Sequence, residues 1–247
     1  MKNVLITGCS SGYGLETARY FHERGWRVVA TMRKPREDVL PRSERLRIVA
    51  LDVTNAASIQ AAIEASGPID VLVNNAGIGA IGAFEAMPMS IVREMFETNT
   101  LGVIAMTQAV VPQFRQRQSG VVVNVTSSVT LAPMPLAAVY TATKMAIEGF
   151  TASLALELES FNVRAKLVEP GYCPTTAFTR NSGPRMEGNI PDAYAAFAQR
   201  VLGDFTQQPV VTKESDVAEV VYRAANDASA QLRFPAGSDA VALAQAK

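Results

Sequence analysis

Val4-Leu5-Ile6-Thr7-Gly8-Cys9-Ser10-Ser11-Gly12-Tyr13-Gly14 carries a short apolar run through three glycines into an amphipathic pattern that continues from Leu15 to Arg24. Such a junction reads as a strand turning directly into a helix. Glycine is needed there because the chain turns tightly and its backbone must approach an anion with no Cβ in the way. The N–H groups at the start of the helix are then placed to bind a pyrophosphate. Following the first strand of a βαβ pattern, Gly8, Ser10, Ser11, Gly12, Tyr13 and Gly14 are candidate dinucleotide-binding residues. Their spacing, Gly-x-x-x-Gly-x-Gly, differs from the common Gly-x-Gly-x-x-Gly fingerprint.

The same alternation runs outward along the chain. Val28 to Thr31, Ile48 to Leu51, Val71 to Asn74, Val121 to Val125 and Ala165 to Val168 are mostly apolar on both alternations, as strands buried on both faces are. Amphipathic stretches at Ala56 to Ala65, Ser90 to Arg117 and Thr141 to Ser160 separate them. Regular strand–helix alternation predicts an α/β fold: one doubly wound, Rossmann-type, mostly parallel sheet with helices on both faces. No linker or repeat divides residues 1–247, so a single domain is expected. The proline-punctuated stretch at about 174–209 reads as an irregular substrate loop.

Composition narrows the function. The chain balances 23 Lys+Arg against 23 Asp+Glu, which argues against a nucleic-acid partner. A lone His22 and two distant cysteines, Cys9 and Cys173, leave neither a metal cluster nor a disulfide framework. No apolar run approaches the roughly 20 residues of a membrane span, and the N-terminal run is too short for a signal peptide. A soluble, cytoplasmic protein without metal is the expectation.

The end of the second strand should read the adenosine ribose. An acid there would bond the 2′-hydroxyl of NAD, whereas a 2′-phosphate calls for Arg. The chain runs Thr31-Met32-Arg33-Lys34-Pro35, with two cations and no acid. NADP is therefore favoured over NAD, with NAD still open.

Tyr140-Thr141-Ala142-Thr143-Lys144 places a phenol and an ammonium four apart, on one helix face. Alone the pair could be chance. Its company is Asn74-Asn75-Ala76-Gly77 after the fourth strand, Asn99 in the next helix, and Ser127 just past the fifth strand. These fall at the carboxyl ends of parallel strands or along the crevice there, where open α/β sheets bind ligands.

With these residues in view the sequence resembles the short-chain dehydrogenase/reductase superfamily, in its shorter single-domain branch. The resemblance runs from Thr7 to the strand near Leu232-Arg233-Phe234 and includes Asp52-Val53 and Pro170-Gly171 with Thr175. It implies hydride transfer to or from NADP or NAD, with Asn99, Ser127, Tyr140 and Lys144 as the catalytic set. It implies that Asp52 and Val53 border the adenine and that Asn75, Ala76 and Gly77 border the middle of the cofactor. Pro170 to Thr175, Cys173 included, would hold the nicotinamide carboxamide, Lys144 the nicotinamide ribose, and Asn99 a water linking Lys144 to solvent. Chemistry points the same way: a phenol near its reference pKa of about 10 is a poor base, and a neighbouring Lys144 ammonium should lower it. Tyr13 departs from the pattern, standing where a smaller aliphatic residue is common.

Between Ser127 and Tyr140 the chain is devoid of charge, and Tyr172, Phe178, Met186 and Phe197 could add an apolar ceiling. The small-molecule partner expected is a nonpolar ketone or aldehyde, or its alcohol. Two other readings stay open: a catalytically silent NADP(H)-binding redox sensor on the same fold, and a subunit valued for its oligomeric surface. Ala142, Ala146, Phe150, Leu154 and Leu158 offer an apolar stripe. A homodimer or homotetramer is the expected assembly.

Overall fold

The computed structural model describes residues 1–207 and 210–246; the side chains of 178–180, 184 and 206 lie outside the description. Seven strands form one all-parallel sheet: β1 (Asn3–Ile6), β2 (Arg27–Met32), β3 (Leu46–Ala50), β4 (Val71–Asn74), β5 (Gly120–Val125), β6 (Val163–Pro170) and β7 (Arg233–Ala236). Their order is β3-β2-β1-β4-β5-β6-β7. The chain builds outward from β1 to β3, then returns to place β4 on the other side of β1. Loops leaving β1 and β4 therefore diverge and open a crevice at their carboxyl ends.

The strands read as apolar runs because alternate residues enter different cores. Val4, Ile6, Val28, Ala30, Val71, Val73, Val121 and Val123 face one side, with Phe21 of α1 (Gly12–Glu23) and Val217, Val221 and Ala224 of α8 (Glu214–Asn226). Leu5, Val29, Leu72 and Val122 face the other. There they meet Ile59 of α2 (Ala56–Ser66), Met106, Val110 and Phe114 of α4 (Gly102–Arg117), and Leu158 of α5 (Ala138–Glu159). Both faces are covered, as a parallel sheet requires.

Two segments differ from the sequence reading. Ser90 to Arg117 is not one helix: α3 (Met89–Phe96) passes through a π-turn at Glu97–Leu101 before α4 begins. The wider turn admits an extra residue and re-aims the side chains within it, Asn99 among them. The late segment is largely helical rather than irregular, with α6 (Phe178–Met186), a 3₁₀ turn at Asp192–Tyr194 and α7 (Ala195–Thr206). Pro174 and Pro191 precede these elements, where a missing N–H costs no helical bond. Pro209 lies outside the described residues. A last helix, α9 (Ser238–Gln245), follows β7.

Candidate active site

Thr7 and Asn75 stitch the two diverging loops together. The Thr7 hydroxyl accepts from the backbone N–H groups of Asn75 and Ala76, at 3.0 and 2.9 Å, and Asn75 Nδ2 donates to the Thr7 and Gly8 carbonyls. The approach is too close for side chains. A Cβ on Gly8, which has φ +76°, would lie 2.8 Å from Ala76 Cα, and one on Gly14 would lie 2.4 Å from the Gly8 carbonyl oxygen. Gly14→Ala should therefore cost about 1–3 kcal/mol by overpacking, read as a drop of several degrees in Tm; an unchanged Tm would show that the loop can relax.

A cleft of about 1310 Å³ opens above this seam. Gly8, Ser10, Ser11, Gly12, Tyr13, Arg33, Asp52, Val53, Asn75, Ala76, Gly77, Ser127, Tyr140, Pro170, Gly171 and Cys173 all line it. The Ser11 side chain does not cap α1, so first-turn N–H groups face the glycine loop. Arg33 is exposed at one end, within electrostatic reach of Asp52 and Glu94; both carboxyls lie below their usual range, Glu94 chiefly through its hydrogen bonds from Arg185 and only lastly through Arg33. For Asp52 the larger cause is Thr54, which donates its N–H and hydroxyl at 3.0 and 2.7 Å.

Four predicted residues lie outside the lining. Gly14 packs into the loop seam. Thr175 is exposed, pairing with Cys173 Sγ at 3.2 Å and donating to Glu214 at 2.8 Å. Asn99 is fully buried. Its Oδ1 accepts from the Ile78 N–H and its Nδ2 donates to the Ile78 carbonyl, both at 2.8 Å, with Thr143 Oγ1 at 3.1 Å from Nδ2. Its side chain thus clamps the loop after β4 to α5. Lys144, also buried, donates to the Val125 carbonyl at 3.0 Å.

At the reaction end, Tyr140 and Ser127 share a side-chain hydrogen bond. Burial of the phenol hydroxyl pushes it up to about 12, and the Ser127 bond pulls it partly back. Burial also brings the Lys144 ammonium down to about 8, against an opposing pull from Glu148. The geometry corrects the expectation that Lys144 lowers the phenol directly: Nζ lies 5.9 Å from the Tyr140 ring centroid and is committed to Val125. Tyr13 reaches across the cleft floor to donate to the Gly171 carbonyl at 3.1 Å, and burial raises its phenol too.

Sequence reading missed the clasp that holds the 170–172 segment. Asp239 of α9 accepts from the Tyr172 N–H at 2.7 Å and from the Thr212 hydroxyl at 2.5 Å. No local pattern announces a contact spanning 67 residues. The apolar ceiling is also different. Tyr172 lines the cleft against Phe205, ring centroids 4.1 Å apart, joined by Val201 and Leu243. Met186 and Phe197 are absent from the described lining, and the Phe178 side chain lies outside the described residues.

A crevice at the β1/β4 switch point, floored by glycines and holding a Ser–Tyr pair with a buried Lys one turn on, has close counterparts. The short chain dehydrogenase family model matches residues 2–186. The chain belongs to that family. It is an NAD(P)-dependent oxidoreductase. It is 39% identical over 182 residues to the 3-ketodihydrosphingosine reductase of Bacteroides thetaiotaomicron, covering 72% of this chain and 66% of that one. Retinol dehydrogenase 8 of Bos taurus is 33% identical, covering 94% of this chain and 80% of the relative. Among solved structures, a serine dehydrogenase complexed with NADP+ superposes with a TM-score of 0.79 at 27% identity, covering 94% and 93% of the two chains. A 3-ketoacyl-(acyl-carrier-protein) reductase from Brucella melitensis complexed with NADH gives 0.80 at 25%, covering 95% and 96%. The enzyme takes a nicotinamide cofactor. No described helix is long and apolar enough to cross a membrane.

Proposed function

We propose that the enzyme uses NADP to interconvert an apolar ketone or aldehyde and its alcohol. The observation that carries this reading is the hydrogen-bonded Ser127–Tyr140 pair at the cleft, with Lys144 one helical turn away. When bound, NADPH supplies the hydride. The residues fit such a group: the glycine seam leaves a backbone cradle, the start of α1 offers N–H groups, and Arg33 at the cleft edge, followed by Lys34, would receive a 2′-phosphate. Asp52 and Val53 would border the adenine, Asn75 to Gly77 the central portion, and Pro170, Gly171 and Cys173 the carboxamide, all of them on the cleft wall, with Thr175 just outside it.

In reduction Tyr140 donates its proton to the carbonyl oxygen. A phenol held near 12 by burial is fully protonated at neutral pH, which suits an acid. Ser127 donates to the same oxygen as charge develops on it. Lys144 would hold the nicotinamide ribose and supply a local positive charge, and Asn99 fixes the loop after β4 beside it. An apolar substrate is favoured by Ile78, Val129, Pro133, Met134, Val201 and Phe205 along the cleft, and by relatives named for retinol and a ketosphingoid base.

The test is a fluorescence titration with NADPH and NADH, followed by a panel of apolar carbonyls and alcohols with the tighter cofactor. Turnover of long-chain or polycyclic carbonyls supports the reading. Tight cofactor binding with no turnover across the panel favours the redox-sensing regulator instead.

A homo-oligomer is part of the same proposal, with a shifted surface. Leu158 is buried in the core and Leu154 packs against it, so the later part of the expected stripe turns inward, whereas Ala142 at its start is exposed. The outward face of α5 carries Ala142, Met145, Gly149 and Leu156, the last 74% exposed. Leu156→Asp should convert the assembly to the 26.4 kDa monomer in light scattering, and a parent protein already monomeric at micromolar concentration would refute the proposal.

A further inference from the structure

Behind the Ser127–Tyr140 pair lies a second charged cluster. Glu148 and Glu169 are 3% and 0% exposed, and Arg233 Nη1 bonds to both carboxylates, at 2.6 Å in the case of Glu169 Oε1. The other Glu148 oxygen, Oε1, accepts from the Thr126 hydroxyl at 2.7 Å and lies 3.1 Å from the Thr130 hydroxyl. Thr130 donates at 2.7 Å to the backbone carbonyl of Ser127 itself. Thr126 and Thr130 thus bracket Ser127, and one carboxylate holds both. Burying two carboxylates on one guanidinium is expensive and stabilises a fold little compared with apolar packing.

Glu148 and Glu169 are buried while the Arg233 side chain they share is 48% exposed, and Lys144 sits on α5 one turn before Glu148. Lys144 itself donates to a neutral carbonyl, that of Val125. The groups that face it are Tyr140 and Glu148 on α5, Asn99 on the π-turn, Gly77 after β4 and the Val125 carbonyl on β5. Glu148 is the carboxylate among them.

We propose that Glu148 is a positioning residue of the reaction centre, anchoring the Ser127 turn through Thr126 and Thr130 while presenting a carboxylate to Lys144 across one helical turn. The inference rests on the reading of Ser127, Tyr140 and Lys144 given above. Arg233 and Glu169 then set how much negative charge reaches Lys144. The cluster ties α5, β5, β6 and β7 into the rear wall of the site.

Glu148→Gln keeps the size and an acceptor oxygen but removes the charge. Lys144, already brought down to about 8, should lose its proton earlier still. The high-pH limb of kcat/KM for reduction should move down by about one pH unit or more, and the pH at which NADPH affinity weakens should move with it. Glu148→Asp, which retains the charge, should restore the limb. In a Lys144→Met background, adding Glu148→Gln should leave the pH profile of NADPH affinity where it was. A limb unmoved in Glu148→Gln, with only Tm reduced, would overturn the proposal and leave the cluster structural. The affinity titration needs no turnover, so an inactive parent protein would sink the proposed reaction without deciding this one. If Glu148→Gln does not accumulate folded, Thr126→Val and Thr130→Val carry the test. Each should lower kcat several-fold at unchanged NADPH affinity, and parent-like kcat in both would overturn the anchoring role.

Discussion

Tyr140→Phe is expected to lower carbonyl reduction by about 10²–10⁴-fold while NADPH affinity stays within a factor of about two. The ring remains, so its packing beside Ser127 and Lys144 is kept; the hydroxyl that bonds Ser127 is gone. The pH dependence supplies a second check on the same atom. With the phenol near 12 and Lys144 near 8, the acid stays protonated through the working range, and reduction should fall on the alkaline side as Lys144 loses its proton. Oxidation needs the phenolate and should rise with pH. The positive ring of an oxidised nicotinamide should bring that apparent pKa below the value set by burial alone. Most of the parental reduction surviving in Tyr140→Phe would place the proton donor elsewhere.

Arg33→Ala has the second largest expected effect, on binding rather than on turnover. A charge-assisted contact to a 2′-phosphate is worth about one to two decades of affinity, so NADPH should weaken about 10- to 100-fold while NADH changes little. Asp52 and Glu94 lie within electrostatic reach of Arg33, and losing the guanidinium leaves those carboxylates to repel the phosphate as well. Equal affinities for NADPH and NADH in the parent protein, measured by fluorescence titration, would end the NADP assignment and leave the fold untouched.

Much of this architecture is legible in the sequence because parallel sheets write themselves in a simple code. Val71 to Asn74 and Val121 to Val125 are apolar on both faces, and a strand in that state has no solvent side. The glycine loop is legible for a related reason: Gly8 and Gly14 sit where backbone meets backbone, and no other residue fits. What stays hidden depends on contacts between distant segments. Thr98, Asn99 and Thr100 in the π-turn at Glu97–Leu101 are weak helix formers but do not announce a π-turn, and Asn99 declares itself only where Ile78 and Thr143 come to meet it. Asp239 is a plain helix-start acid until the chain brings Tyr172 and Thr212 to it. The late prolines suggest irregular chain, yet Pro174 and Pro191 stand ahead of helical elements. Spacing alone does not show that burial pushes the Tyr140 phenol up, nor which carbonyl the Lys144 side chain will choose.

The central claim is that this cleft passes a hydride between NADPH and an apolar carbonyl carbon. NADPH carrying deuterium in the transferred position at nicotinamide C4 can be turned over with a long-chain or polycyclic ketone, and the alcohol examined by mass spectrometry. The expected product carries one deuterium on the carbinol carbon for each NADPH consumed, and its formation collapses in Tyr140→Phe. An alcohol free of deuterium, or a bound cofactor that reduces no member of the panel, would contradict it.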